Sequence, residues 1–208
     1  NIEKGGKTFC DYPELMFDVV QKIRNATDFP LIAKLSPNVT DIVAVASAAK
    51  EAGADALSLI NTLVGMRINI KTRAPYLSRN TGGLSGPAIR PIAVAKVFLV
   101  AQAKLGLPII GMGGIETAED AIEFLLAGAS GIAVGTANFV IPHATIDILE
   151  RIEKYMNEQN RHRTPDRGRQ KSFPPRQQPR RVIPDSSQHA EFFPVPATAG
   201  NGRPSREQ

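Results

Sequence analysis

Lys34 stands near the end of a short aliphatic run, Leu31–Leu35, just before Ser36 and Pro37. A lysine at the end of an apolar strand can hold an anion, and its charge stabilises the N1/O2 edge of a reduced flavin. The plainer reading is an ammonium that snorkels out of the strand end. Asn61 and Thr62 take the matching place after the run Ala56–Ile60. Together a carboxamide and a hydroxyl donate and accept hydrogen bonds, which suits a ring amide or a carboxylate; alone, such a pair is equally a turn cap. Glycines follow the next two runs, Gly113 and Gly114 in one loop and Gly135 before Thr136 in the other. Glycine lets backbone N–H groups approach an anion closely, and a helix start favours negative charge. Two such loops after consecutive strands read as a phosphate clamp, and Gly86 before Pro87 offers a further close backbone contact.

Other reactive types carry less. Cys10 is the only cysteine, so neither an internal disulfide nor a cysteine metal cluster is available to the chain. It sits in a polar segment beside Asp11, which disfavours a thiolate, and no basic partner is identifiable. His143 precedes a helical stretch and reads as structural, while His162 and His189 fall in a region of different character. No His, Asp or Glu spacing resembles a metal site.

Positioning these residues requires strands that alternate with helices. The aliphatic runs Leu31–Leu35, Ala56–Ile60, Pro108–Gly111 and Gly131–Val134 are each followed by a helical pattern. Asp41–Ala52 follows Thr40 as N-cap, Pro87–Lys104 starts on proline, Ala118–Ala127 lies between Thr117 and Gly128, and Thr145–Asn157 ends the series. A further helix, Pro13–Asn25, comes first, with Leu15, Val19, Val20 and Ile23 on one face. Strands that are apolar throughout and alternate with helices predict an α/β fold with a parallel sheet. Glycine loops after the last two strands favour a (βα)8 barrel over an open nucleotide-binding sheet. Four strands cannot close a barrel, so the expectation is the C-terminal half of one, over residues 1–160. The connection Asn61–Gly86 is long for a βα loop and predicts a small hairpin over the mouth.

Composition agrees. Apolar residues make up 42% and aromatics only 6%, which predicts an aliphatic, alanine-rich core. The net charge of +5 is uneven: residues 161–208 hold ten basic and four acidic groups, leaving fifteen and sixteen in residues 1–160. Half of the 16 prolines also fall after residue 160. This segment predicts a disordered basic tail, solvated rather than bound to nucleic acid, although arginine-rich segments can fold on RNA. No run is long and apolar enough to span a membrane, and the first residues lack the pattern of a signal peptide, so a cytoplasmic location is expected.

Five segments carry a resemblance: Lys34–Ile42 (KLSPNVTDI), Ser58–Thr62 (SLINT), Thr81–Ile89 (TGGLSGPAI), Ile110–Ile115 (IGMGGI) and Val134–Phe139 (VGTANF). Together they resemble the class 1B dihydroorotate dehydrogenases over residues 1–157, with motif spacing intact. The resemblance implies FMN-dependent oxidation of dihydroorotate to orotate in pyrimidine biosynthesis. It implies FMN contacts at Lys34, Ile60, Gly86, Gly113, Gly114, Gly135 and Thr136, and substrate contacts at Asn61 and Thr62. Asn1 looks like the last residue of the family's Asn-x-Ser-Cys-Pro-Asn motif, a further substrate contact, followed by the matching Ile2–Gly6. The base cysteine is then expected just upstream of Asn1, and Cys10 does not replace it. The chain would thus be a truncated piece, inactive alone. An electron-transfer subunit with FAD and a [2Fe–2S] cluster, linked to NAD, is implied as partner, in a homodimer or heterotetramer. Two alternatives stay open: a barrel similar to dihydropyrimidine dehydrogenase, and a non-enzymatic module that binds phosphate or RNA.

Overall fold

A computed structural model describes residues 3–4, 7–8 and 12–163, with side chains from 12 to 159. Asn1, Cys10, His189, the side chain of His162 and residues 164–208 of the expected 161–208 tail lie outside the described residues, while residues 161–163 belong to the last helix.

Two short strands, β1 (Glu3–Lys4) and β2 (Lys7–Thr8), pair antiparallel at the start. The main body then repeats strand and helix. In order come α1 (Pro13–Arg24), β3 (Ile32–Leu35), α2 (Ile42–Glu51) and β4 (Ala56–Leu59). A hairpin region follows, built from β5 (Leu63–Met66), β6 (Ile68–Asn69), β7 (Ala74–Pro75) and β8 (Thr81–Leu84). After it come α3 (Arg90–Gln102), β9 (Ile109–Met112), α4 (Ala118–Ala127) and β10 (Gly131–Ala133). The series ends with a single turn, α5 (Ala137–Val140), and the long α6 (Ala144–Arg163).

Strands β3, β4, β9 and β10 form one parallel sheet in chain order. Helices pack in the same order, α1 on α2, α2 on α3, α3 on α4 and α4 on α6. A doubly wound sheet reverses its strand order at a switch point and covers both faces. Among the described residues neither happens: the helices form one layer, and the sheet's other face carries Ile32, 49% exposed, and Lys34. This arrangement is an α/β repeat with a parallel sheet, as expected.

The strand residues turned toward the helices are fully buried. Leu35, Leu57 and Leu59 meet an alanine-rich helix layer that includes Ala46, Ala49, Ala93 and Ala121. Each such leucine contributes roughly 1.5–3 kcal/mol by burial. Phe124 of α4 is fully buried beside Gly111; a Cβ there would lie 2.6 Å from its ring. The aliphatic, alanine-rich core matches expectation.

Element ends shift for local reasons. The N-cap of α2 is Asp41, not Thr40: its Oδ1 accepts from the amides of Val43 at 2.9 Å and Ala44 at 3.1 Å. A carboxylate both caps the helix and opposes its dipole. The expected helix from Pro87 begins instead as a 3-10 turn, Pro87–Ile89, because Pro91 fits only the first turn of the α-helix that follows. On α1 the buried pair is Met16 and Val20, one turn apart, while Ile23 remains 42% exposed. Thr117 does cap α4, in a capping box with Asp120, and Gly128 ends it in a left-handed conformation, φ 115°. Helix α6 runs past the expected Asn157 to Arg163.

The long connection is a hairpin, as expected, with a smaller one nested inside it. β5 pairs with β8 from Leu63↔Leu84 to Met66↔Thr81, and β6 pairs with β7. Arg67 lies over the ring of Tyr76, 4.5 Å from its centroid, and fastens the inner turn.

Candidate functional site

The C-terminal ends of the four parallel strands open on one cleft of about 310 Å³. That lies within the range of small-molecule sites, roughly 300–1,000 Å³. All nine candidate residues with described side chains line it: Lys34, Ile60, Asn61, Thr62, Gly86, Gly113, Gly114, Gly135 and Thr136. They come from the ends of β3 and β4, the hairpin root, and the loops after β9 and β10. Met112, Glu116 and Phe139 also line the cleft, and sequence reasoning did not single them out. Asn1 lies outside the described residues.

Lys34 reaches the cleft through strand alternation. Ala33 and Leu35 face the helices, so Ile32 and Lys34 face the other way. Lys34 pairs in register with Ser58 on β4. Among the described residues it has no acidic partner within ion-pair distance, which leaves its charge for a ligand.

The glycine loop after β9 is set by close packing. A Cβ at Gly114 would lie 2.7 Å from the carbonyl oxygen of Gly86 and 2.9 Å from the amide nitrogen of Arg90. A Cβ at Gly113 would meet Ala93, Ile89 and Ile60, the last at 3.4 Å. Gly135 differs: its Cβ would meet nothing within 4 Å, and its φ is not left-handed. Its backbone borders open space, a cradle that a side chain would begin to fill.

A buried carboxylate braces these loops. Asp120 is 7% exposed, and its Oδ1 accepts from Arg90 Nη1. Its Oδ2 accepts from the amides of Glu116 at 3.0 Å and Thr117 at 2.9 Å. Arg90 also pairs with Glu123, Nε to Oε2 at 3.3 Å. The start of α3 is thereby tied to the loop that carries Gly113 and Gly114. On the far side, Asn138 donates to the Val134 carbonyl at 3.1 Å and accepts from Thr145, joining the end of β10 to α6.

The Asn61–Thr62 side is anchored by backbone bonds. Ile60 N–H donates to Met112 at 2.9 Å and Asn61 N–H to Leu35 at 3.0 Å. Thr62 packs against Gly83 of β8, where a Cβ would sit 2.3 Å from its hydroxyl oxygen. Asn38, in the loop after Lys34, bonds to both Thr62 and Val64. Its only signal in the chain was membership of the KLSPNVTDI segment; Asp120 stood three residues after the cap Thr117, the spacing of a capping box, and Arg90 had no signal beyond ordinary helix composition.

Some residues stay apart from the cleft. His143 lies just before α6, 70% exposed, and pairs with Asp147 one turn on, which fits a structural role. Among the described residues no group of three or more His, Cys, Asp or Glu is placed to hold a metal. No described helix is long and apolar enough to cross a membrane.

The cleft thus combines an ammonium without an ion-pair partner among the described residues, donor and acceptor side chains, and two glycine loops, a set suited to a phosphorylated cofactor beside a small polar substrate. Similarity to known proteins points the same way. The family model described as dihydroorotate dehydrogenase matches residues 1–156. The chain is 55% identical over 160 residues to the protein of Alkaliphilus oremlandii called dihydroorotate dehydrogenase B (NAD(+)), catalytic subunit, covering 77% of this chain and 53% of that one. It is 52% identical over 158 residues to the protein of the same name from Anoxybacillus flavithermus, covering 76% of this chain and 50% of the relative. The chain spans about half the length of the curated relatives it matches. With the sequential βα sheet, the cleft at its C-terminal edge and this degree of identity, the chain belongs to the dihydroorotate dehydrogenase family.

Proposed function

We propose that this chain supplies the flavin-binding and part of the substrate-binding surface for the oxidation of dihydroorotate to orotate in pyrimidine biosynthesis. The observation that carries the reading is the convergence of the nine candidate residues on one cleft at the strand ends. The family is flavin-dependent, and FMN is the flavin assigned here. Bound in the cleft, FMN supplies the acceptor for the hydride that leaves dihydroorotate.

The chain's own residues bind, orient and charge the site. Gly113, Gly114, Gly135 and Thr136 offer backbone to the phosphate, and the open space at Gly135 favours this. Lys34 brings a positive charge to the ring edge where negative charge develops. Ile60 and Gly86 line the cleft and would pack against the bound flavin. Asn61 and Thr62 hold the substrate's amide and carboxylate, as does Asn1 by its motif. The proton's acceptor is assigned by motif to a cysteine ahead of Asn1, and Cys10 has no part in it.

The four-stranded arc is read as part of a closed barrel, whose remaining wall covers Ile32 and faces Lys34. The relatives named above are catalytic subunits of an NAD(+)-linked enzyme. By extension, a separate subunit with FAD and a [2Fe–2S] cluster takes the electrons onward, in an assembly built on a homodimer or heterotetramer. The site is cytoplasmic.

The test is reconstitution. The full chain is produced with and without the remaining part of the Alkaliphilus oremlandii subunit, and FMN is added. Flavin absorbance that is retained, and bleached by dihydroorotate when both parts are present, is expected. A reconstituted assembly that retains no FMN overturns the assignment of the cleft.

A further inference from the structure

We infer that Asn38 is a positioning residue for the substrate side of the cleft: it holds the Asn61–Thr62 segment and the root of the hairpin against the loop that follows Lys34. The inference rests on the proposed function only for what the segment binds; the bracing itself is a matter of geometry.

Asn38 lies four residues beyond Lys34, outside the cleft lining. Its carboxamide faces two ways. Nδ2 donates to the Thr62 carbonyl at 3.0 Å, and Oδ1 accepts from the Val64 amide at 2.9 Å. The residues so gripped straddle Leu63, the first residue of β5. On its own side, Asn38 is fixed by the buried Ser36, whose Oγ accepts from both the Asn38 amide and Nδ2 at 3.2 Å. One side chain therefore links the end of β3 to the chain just after β4.

The grip extends further. Thr62 packs so closely on Gly83 that no Cβ fits there, and Gly83 pairs with Val64 across the hairpin. Asn38 thus orders both strands of the hairpin at their root and, through them, the placement of Thr62. Only a side chain with a donor and an acceptor on one short planar group can satisfy a carbonyl and an amide two residues apart. Aspartate keeps the acceptor for Val64 and sets an oxygen against the Thr62 carbonyl; alanine removes both bonds.

Positioning predicts a selective loss. Small misplacement of a binding group costs substrate affinity far more than it costs an independently held cofactor. In Asn38→Ala, orotate affinity is expected to fall about tenfold, the loss from two hydrogen bonds' worth of ordering, with FMN affinity within about threefold of the parent.

Two arms test this. The first is hydrogen exchange on the full chain without ligand. Faster exchange at Val64 and across Thr81–Leu84 in Asn38→Ala, with β9 and β10 unchanged, is expected; unchanged exchange at Val64 and the hairpin root overturns the inference. The second arm titrates orotate into the reconstituted, FMN-loaded assembly and follows the flavin spectrum. Weaker orotate binding at unchanged flavin content supports positioning, with Asn38→Asp also impaired because its donor is gone. Equal loss of both ligands, or of neither, overturns it. If the parent assembly itself retains no FMN, the reading of the cleft fails, and the exchange arm alone decides whether Asn38 holds the segment.

Discussion

A Cβ on Gly114 would stand 2.7 Å from the carbonyl oxygen of Gly86, a contact between two loops that lie far apart in the chain. Gly114 also holds φ at 76°, where side chains are strained. The glycine loop after β9 and the entry to α3 can meet this closely only through glycine. Gly114→Ala is therefore expected to destabilise the protein by about 1–3 kcal/mol from backbone strain alone. The backbone clash adds to that, and flavin retention should fall with it. Thermal melting and the visible flavin band check both; a variant that melts like the parent refutes the contact.

Gly135→Ala is the converse. Nothing lies within 4 Å of its Cβ, and its backbone is not left-handed. Removing a glycine without strain stabilises a chain by about 0.4–1 kcal/mol through the unfolded state. The melting temperature should hold or rise while FMN affinity drops, because the new methyl group occupies the space assigned to the ligand. Full FMN affinity in this variant counts against the phosphate assignment.

Asp120→Ala leaves Arg90 and the amides of Glu116 and Thr117 without their shared acceptor. Hydrogen bonds to a charged group contribute about 1.5–3 kcal/mol, so a loss of at least that size is expected. Denaturant unfolding measures it. Asp120→Asn, which keeps one acceptor oxygen but no charge, should lose less.

Lys34→Met tests charge apart from fold. The side chain is exposed and unpaired among the described residues, so stability should stay within about 0.5 kcal/mol. FMN should bind less tightly, and the flavin's reduction potential should move to a lower value, since a cation that favours the anionic reduced ring is gone. Potentiometry of the reconstituted assembly reads this directly, and an unmoved potential removes Lys34 from that role.

Much of the site could be read along the chain because its residues are local to strand ends. Lys34 lies near the end of an aliphatic run, Asn61, Gly113 and Gly135 each follow one, and the βα repeat carries every such position to the same edge of the sheet. Thr117 and Gly128 bound α4 as their types require, for caps depend on bonds within one turn. Asp41 displaced Thr40 because adjacent residues both qualify and only the backbone decides which one turns first.

Contacts between distant segments were decided elsewhere. Arg90 and Asp120 are 30 residues apart, and Asn38 and Thr62 are 24 apart. Their types permit many partners. The nested β6–β7 pair, the 3-10 turn before α3 and the burial of Met16 likewise depend on what each segment packs against. Residue type and spacing sufficed for the α/β repeat and for which residues gather at its edge, because hydrophobic periodicity and capping are short-range. Which loops brace one another, and where the cleft leaves space, followed only from close packing of strands and helices in three dimensions.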